Sequence, residues 1–408
     1  MNVQLHTLIK GSRSPHRTIR STLTLANAAW LSVIAALGLS LLGIYAIDLV
    51  GRPTAGGAFD LAPLAWKQLV FLILGLLAAV FVALPHYRIV SLAAWPATVV
   101  VLGLLVFLLA PGVPKWLVSP TNGARAWINL GPVNFQPAEL AKIVFVLVVA
   151  RYMRFRRTHR EFRGLIVPGI IAFVPMALIT LQPDLGSASL FVPSLFAMLV
   201  AAGARLRHVG VIILAGLLAA PASWPLLRPY QKERFIALVH QVQGDRSREQ
   251  DINFQSFTAQ RLVGAGGLAG NSDGRARALV RFNRLPEAHN DMVFAVVVNR
   301  FGAIGGVAVF GMYLLWLGGA LLTALLCREP LGRILCVGLA AFVAVQMVIN
   351  VGMTIGLLPI IGITLPFVSY GGSSMLASWI MTGLMLNVAL RRPMPPFRAS
   401  FEYADEDA

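Results

Sequence analysis

Charge is scarce in this chain. Only 12% of its 408 residues are Asp, Glu, Lys or Arg, while 57% are hydrophobic. A soluble domain is about a quarter charged, so most of this chain is excluded from a water-facing globular surface and points to lipid as its solvent. Acids are scarcer still, 17 against 34 Lys and Arg, for a net charge of +17. The basic residues lie in short clusters between apolar runs rather than on one soluble face. That excludes nucleic acid as the expected partner and reads as an orientation signal. Cysteine is nearly absent: Cys327 and Cys336 fall near one predicted turn, which excludes a disulfide framework or thiolate metal site. No internal repeat is visible, nor the paired broken helices of many transporters. The Gly-rich stretch GAGGLAG (264–270) has no strand before it and no Lys-Ser/Thr after it. It is therefore read as a flexible turn rather than a phosphate-cradling loop.

What is present is one apolar run after another. A helix needs about 20 apolar residues to cross the hydrocarbon. Runs of that kind are expected at 28–48, 63–84, 90–110, 136–152, 164–182, 186–203, 208–226, 295–326, 332–357 and 372–390. The 295–326 run is long enough to be tilted, kinked or partly outside the bilayer. Lys10, Arg13, Arg17 and Arg20 precede the first run as in a signal peptide, but its length and the spans that follow predict an uncleaved helix. The expected fold is all-α, a polytopic transmembrane bundle of about ten helices with one large extracytoplasmic loop. It divides into a cytoplasmic basic N-terminus (1–27), helices 1–7 (28–226), the loop (227–290), helices 8–10 (291–390) and a cytoplasmic tail (391–408).

Orientation follows from the short turns. The turn 151–163 holds Arg151, Arg154, Arg156, Arg157, Arg160 and Arg163, whereas 49–62 has only Arg52 and 111–135 only Lys115 and Arg125. The positive-inside rule then puts both termini in the cytoplasm. Arg391 and Arg392 stop the last helix, and Glu402, Asp405, Glu406 and Asp407 suggest a short disordered acidic tail. The long loop carries ten Lys/Arg against six Asp/Glu. About sixty residues is too many for a mere connection, so a functional loop or small cap is expected.

A charge near the bilayer centre costs about 2.5–3.5 kcal/mol on insertion scales, so such residues are functional candidates. Outside the tail and long loop the acids are Asp48, Asp60, Glu139, Glu161, Asp184, Asp291 and Glu329. Glu161 and Glu329 sit in basic turns and are expected to be solvated; Asp48 and Asp60 flank the first outer loop as interface residues. Glu139, Asp184 and Asp291 lie at the outer ends of spans. Glu139 and Lys142 share a helical face and form a candidate ion pair, structural or functional. Asp184, in QPDLGS, is either a helix cap or a site carboxylate. Asp291 follows His289 in PEAHNDMVF, beside the large loop, where the two suit acid–base work. Arg125 and Trp127 in NGARAWI add a cation and an interfacial aromatic. Cations and carboxylates together suit a substrate with phosphate and hydroxyls, such as the headgroup of a lipid-linked sugar.

The strings NGARAWI (122–128), QPAELAK (136–142), QPDLGS (182–187), LPEAHNDMVFAV (285–296) and LPIIGITLPFVSYGGSS (358–374) resemble the SEDS family, the RodA, FtsW and SpoVE proteins of bacterial cell-wall synthesis. The likeness runs from the first span to about residue 390. It implies a multi-pass protein of the cytoplasmic (inner) membrane, a peptidoglycan glycosyltransferase polymerising lipid II at the outer face. The partner it implies is a class B penicillin-binding protein, the transpeptidase that cross-links the product. By this resemblance the catalytic carboxylate is Asp291. Substrate contacts fall on Arg125, Glu139, Lys142, Asp184, His289, Ser369, Gly371, Gly372 and Ser373. Where the family commonly has Glu-Glu, this chain has Asn299-Arg300, which changes the charge expected beside the site. The YQKERF motif (230–235) and compact tail lean towards RodA.

The mechanism expected is general-base attack. Asp291 takes the proton of an acceptor hydroxyl, and the oxygen displaces an undecaprenyl pyrophosphate whose charge Arg125 and Lys142 stabilise. No residue cluster has metal-cage spacing, so no cofactor is firmly expected. A divalent cation, Mg or Mn, would be held through the pyrophosphate. The alternatives are a lipid II flippase and a non-catalytic scaffold of the wall machinery.

Overall fold

The computed structural model describes residues 28–391, apart from 53–60, 119, 121–122, 132, 155, 157–160, 223–224, 226–228 and 244–252. The basic N-terminus, the acidic tail and Asp60 lie outside the described residues.

Apolar run length sets the helices, and proline sets many of their starts. In chain order they are α1 (Ala28–Gly51), α2 (Pro63–Ala83), α3 (Tyr87–Leu92), α4 (Ala94–Leu109), α5 (Pro137–Met153), α6 (Ile166–Leu181), α7 (Leu185–Ser189) and α8 (Phe191–Ala202). There follow α9 (Leu206–Ala222), α10 (Pro229–Val242), α11 (Phe254–Gly266), α12 (Asp273–Phe282), α13 (Val293–Leu326), α14 (Pro330–Thr354) and α15 (Gly372–Arg391). Pro63, Pro137 and Pro330 open α2, α5 and α14, where a missing N–H costs no helical bond. A two-stranded ribbon, β1 (Ile128–Asn129) and β2 (Asn134–Phe135), pairs Ile128 with Phe135.

Each expected run holds helix among its described residues, and the protein is an all-α multi-pass membrane bundle. Among the described residues, seven helices, one joining α7 and α8, are long and apolar enough to cross a membrane. Helices α4, α5 and α9 are shorter, and α5 also carries Glu139, Lys142 and Arg151. The core is built from two close pairings, α1 along α13 and α2 along α15. Without a hydrophobic force between helices in lipid, small residues must let backbones approach. A Cβ at Gly43 would lie 2.3 Å from the carbonyl oxygen of Val368, and one at Gly383 would lie 2.5 Å from that of Ala79.

The long 295–326 run is kinked, at Gly302 (φ 68°, ψ −166°) inside α13. There the GAGGLAG stretch crosses it at contact distance: a Cβ on Gly302 would sit 2.2 Å from the Leu268 oxygen, and one on Gly270 2.2 Å from the Arg300 oxygen. The N–H of Ala303 donates to Gly267 (2.9 Å) and that of Ile304 to Leu268 (3.3 Å). The glycines are thus a packed backbone crossing rather than a flexible turn, because only residues without a Cβ permit this approach.

The bundle has two polar ends. One gathers the termini of α1, α13 and α14 with the loop helices α10–α12; the other gathers the end of α2, α3, the end of α13 and the start of α14. At this second end Glu329 is not solvated, as its basic surroundings suggested, but 8% exposed. It accepts from Tyr87, from Arg88 Nε (2.9 Å) and from Arg154 (2.6 Å). A carboxylate between two guanidiniums can be buried because its charge is matched. Cys327 and Cys336 are buried nearby and are not joined in a disulfide.

Close packing yields a direct test. Gly383→Ala is expected to lower the stability of the detergent-purified protein by about 1–3 kcal/mol, as overpacking does. Gly103→Ala, where a Cβ meets nothing within 4 Å, should leave the thermal midpoint unchanged or raise it. Equal midpoints for the two variants would contradict the α2–α15 contact.

Candidate active site

Five sequence motifs far apart in the chain meet at the loop end of the bundle. The join begins at Gln136. Its N–H donates to Ser373 Oγ (2.9 Å) and its amide to Asp184 Oδ2 (3.1 Å), tying the starts of α5 and α15 to the turn before α7. The N–H of Arg125 donates to the carbonyl of Gln182 (3.3 Å), drawing NGARAWI onto the same turn. A Cβ at Gly186 would fall 2.7 Å from the Ile361 oxygen, so that turn packs directly on the irregular segment 355–371.

That segment is strapped to the residues just before α13. Asn350, fully buried in α14, donates to the carbonyls of Asp291 (2.8 Å) and Ile363 (2.7 Å). Ser369 Oγ donates to the carbonyl of Asn290 (2.7 Å) and accepts from the N–H of Leu365 (2.7 Å). Gln68 of α2 donates to the carbonyl of Ser369 (2.9 Å) and accepts from the N–H of Gly371 (3.1 Å). The N–H of Tyr370 donates to the carbonyl of His289 (2.8 Å), and the rings of those two residues meet edge-on at 5.7 Å. Irregular backbone at membrane depth persists only when its polar groups are met inside the protein, and these side chains meet them.

The acids differ in how their charge is matched. Glu139 and Lys142 form a buried ion pair (2.7 Å). Asp184 caps α7: Oδ1 accepts from the N–H of Ser187 (3.0 Å) and Oδ2 from its hydroxyl (2.8 Å). Burial raises the Asp184 carboxyl above its usual range, and the Ser187 bonds oppose the rise. Glu287 accepts from Asn290 Nδ2 (2.6 Å) and is held at φ 50°, a left-handed backbone that side chains seldom adopt and that clusters at functional sites.

Asp291 is different. Its carboxylate accepts no hydrogen bond and forms no ion pair among the described residues. Only part of the residue meets solvent, and its Oδ2 lies where a Cβ on Gly362 (φ 72°) would be 3.4 Å away. Burial first, then the charges of Glu287 and Asp184, push its pKa up to about 7, with Arg234 pulling the other way. Burial lowers the pKa of His289, so at neutral pH its ring is uncharged.

The expected site residues therefore divide by what they touch. Asp291, Asp184, Glu139, Lys142 and His289 converge, and Arg125 joins through its backbone, its side chain half-buried and without an ion-pair partner among the described residues. Ser369 is 2% exposed, with its hydroxyl committed to backbone. Gly371 serves the Gln68 bond, and Gly372 packs on Phe71, whose ring would be 3.0 Å from an added Cβ. Ser373 remains half-exposed at the rim. Arg300 does not face the site: it donates to Asp273 (2.5 Å), Tyr45 (3.0 Å) and the carbonyl of Asn271 (3.1 Å), so its charge is consumed on α12 and α1.

Residues beyond those expected add to the site, Gln68 and Gln136 through the bonds above and two more besides. Arg234, in α10, places a positive charge within reach of Asp291. Asn350 was visible as one of two amides, with Gln346, in an apolar helix, a signal that carries no charge.

Comparison with known proteins follows the same map. Residues 27–393 match the family described as cell cycle protein, FtsW, RodA and SpoVE. Stage V sporulation protein E of Bacillus subtilis is 33% identical over 334 residues, 80% of this chain and 86% of that one. A probable peptidoglycan glycosyltransferase FtsW of Alkalilimnicola ehrlichii is 33% identical over 389 residues, 91% of this chain and 93% of its own. Among solved structures, a chain from work on structural coordination of polymerization and crosslinking by a peptidoglycan synthase complex aligns with TM-score 0.73 at 31% identity, covering 88% of this chain and 97% of that one. Thermus thermophilus rod shape determining protein RodA aligns with TM-score 0.65 at 28% identity, covering 91% and 99%. FtsW, SpoVE and RodA all match at similar identity, so the lean towards RodA goes no further.

The ion pair supports a stability test. Lys142→Met leaves Glu139 buried without its partner and should cost about 3–5 kcal/mol. The double variant Glu139→Leu/Lys142→Met should recover most of that loss. Thermal unfolding in detergent reads both; a single variant as stable as wild type would show that the pair is not buried as described.

Proposed function

The chain belongs to the FtsW, RodA and SpoVE family of cell cycle proteins and is a membrane peptidoglycan glycosyltransferase, and on that premise we propose that Asp291 is its general base. The supporting observation is the contrast among its acids: Asp291 is the site carboxylate left without a donor among the described residues, with a pKa near 7. A base works best when its pKa lies close to the working pH.

In the proposed reaction the substrate is lipid II. The Asp291 carboxylate takes the proton of an acceptor sugar hydroxyl as that oxygen forms a bond to the anomeric carbon of the lipid-linked donor. The anomeric carbon–pyrophosphate bond breaks, and the undecaprenyl pyrophosphate leaves with the electron pair. Arg125, Lys142 and Arg234 supply positive charge for that leaving group, and Glu139 fixes where Lys142 points. A base alone contributes about 10²–10⁴-fold, so positioning and charge stabilisation carry the remainder. Among the described residues no three His, Cys, Asp or Glu side chains gather as a metal cage. A Mg or Mn ion would thus come to the site bound through the substrate's pyrophosphate.

We place the loop end on the outer face of the cytoplasmic membrane, with both termini inside. Arg88, Arg151, Arg154 and Arg391 at the opposite end support this by the positive-inside rule. The relative in a peptidoglycan synthase complex supports a cross-linking partner, which we assign as a class B penicillin-binding protein. Transport without chemistry is disfavoured by the middle of the bundle, where Trp316, Phe342, Phe367 and Trp379 are buried and the polar residues of the site stay at one end.

Asp291→Asn should fold with the wild-type thermal profile and lose at least a hundredfold of lipid II polymerisation, scored as glycan chain growth. Near-normal chain growth would overturn the assignment. The wild-type rate should rise about tenfold per pH unit below pH 7 and level off above it, since only the ionised carboxylate accepts the proton. A rate falling as pH rises from about 6 to 8 would mean that the group acts as an acid.

A further inference from the structure

A second polar cleft lies apart from Asp291, between the outer turns of α1 and the helix α12. Its volume is about 260 Å³. Tyr45, Asp48 and Arg52 line it from α1 and the residue just beyond, and Asp273 and Arg277 line it from α12. None of the groups whose charge acts on Asp291 takes part.

Three features of this cleft are unexplained by glycan synthesis. First, its charge is layered. Asp273 is neutralised by Arg300 (2.5 Å) and Asp48 by Arg52 (2.8 Å). Arg277 uses only Nε, on the carbonyl of Leu49 (3.2 Å), so its two terminal amino groups have no partner among the described residues. Second, the lower wall is apolar and opens sideways. Leu41 and Leu61, which line the cleft, are 51% and 41% exposed. Third, the surrounding surface is basic and greasy at once. Arg275, Arg281 and Arg284 are exposed on or just after α12, and Phe282 and Leu268 are 86% and 78% exposed. Exposed aromatic and aliphatic side chains among arginines mark an element lying at the headgroup boundary, where each arginine attracts anionic lipid by about 1 kcal/mol.

We propose that this cleft binds the headgroup of an anionic phospholipid from the surrounding leaflet. The phosphate sits on the terminal amino groups of Arg277, and the acyl chains run down past Leu41 and Leu61. A bilayer lipid rather than a free anion fits, because the apolar wall continues from the charged mouth onto the lipid-facing side of α1. Such a lipid would brace α12 against α1, and with them the kinked start of α13 that carries the Arg300–Asp273 contact.

The test is native mass spectrometry of the full-length protein in detergent, titrated with phosphatidylglycerol and with phosphatidylcholine. Wild type should bind phosphatidylglycerol more tightly. Arg277→Gln should weaken that binding about fivefold, the factor that one lost interfacial charge implies, while leaving phosphatidylcholine binding unchanged. Arg277→Lys keeps the charge and should keep most of the preference, which separates a lost contact from a damaged fold. Equal affinity of wild type for the two lipids would overturn the proposal. So would an unchanged phosphatidylglycerol affinity in Arg277→Gln, or displacement of the lipid by millimolar inorganic phosphate. None of these outcomes bears on Asp291, since no sugar substrate is present.

Discussion

Asn350 satisfies two carbonyls that no helix satisfies, those of Asp291 and Ile363. In water this would be a minor bond. In a bundle surrounded by lipid an unmet backbone group costs several kcal/mol, so the irregular segment 355–371 can exist only where side chains supply what a helix would have supplied. Asn350, Ser369 and Gln68 do so in sequence, and Tyr313 adds a bond to the carbonyl of Pro366. The site is the consequence. Once this segment is fastened against the end of the long loop, Gly186 lets the turn before α7 pack on the Ile361 carbonyl, and Gly362 lies beside the Asp291 carboxylate.

The electrostatics follow from that placement. The protein uses its charge in matched groups: Glu139 with Lys142 and Glu329 with Arg88 and Arg154 where the carboxylates are buried, and Asp273 with Arg300 nearer the surface. Matched pairs hold a structure together without offering a reactive proton acceptor. Asp291 is set apart by having neighbours of its own sign, Glu287 and Asp184, whose effect outweighs that of Arg234. Two kinds of carboxylate thus serve two purposes in one fold, and environment rather than residue type tells them apart.

Much of this was legible in the sequence, and the limits have physical reasons. Membrane spans announce themselves because length and apolarity are one-dimensional properties, and each expected run holds helix among its described residues. The carboxylates of the site stood out because acids are so few. What failed was inference from local charge. Glu329 looked solvated among arginines, yet the same arginines are what permit its burial. Arg300 looked close to Asp291 in the chain, but the eight intervening residues, most of them in α13, turn it towards Asp273. GAGGLAG looked flexible, whereas Gly270 and Gly302 are there for a backbone crossing between segments some thirty residues apart. SYGGSS reads as a binding loop, but Ser369, Gly371 and Gly372 mostly fasten the strap. Such long-range pairings leave no mark in spacing or composition.

The central claim is that this fold delivers one carboxylate that titrates near neutrality at the point where the loop meets the bundle. Infrared difference spectroscopy on protein labelled with ¹³C-aspartate, with Asp291→Asn as the subtraction reference, reads that group directly. A carboxyl band that converts to carboxylate with a midpoint near 7 is the result required. A midpoint near 4, the ordinary value for a solvated aspartate, would contradict the account.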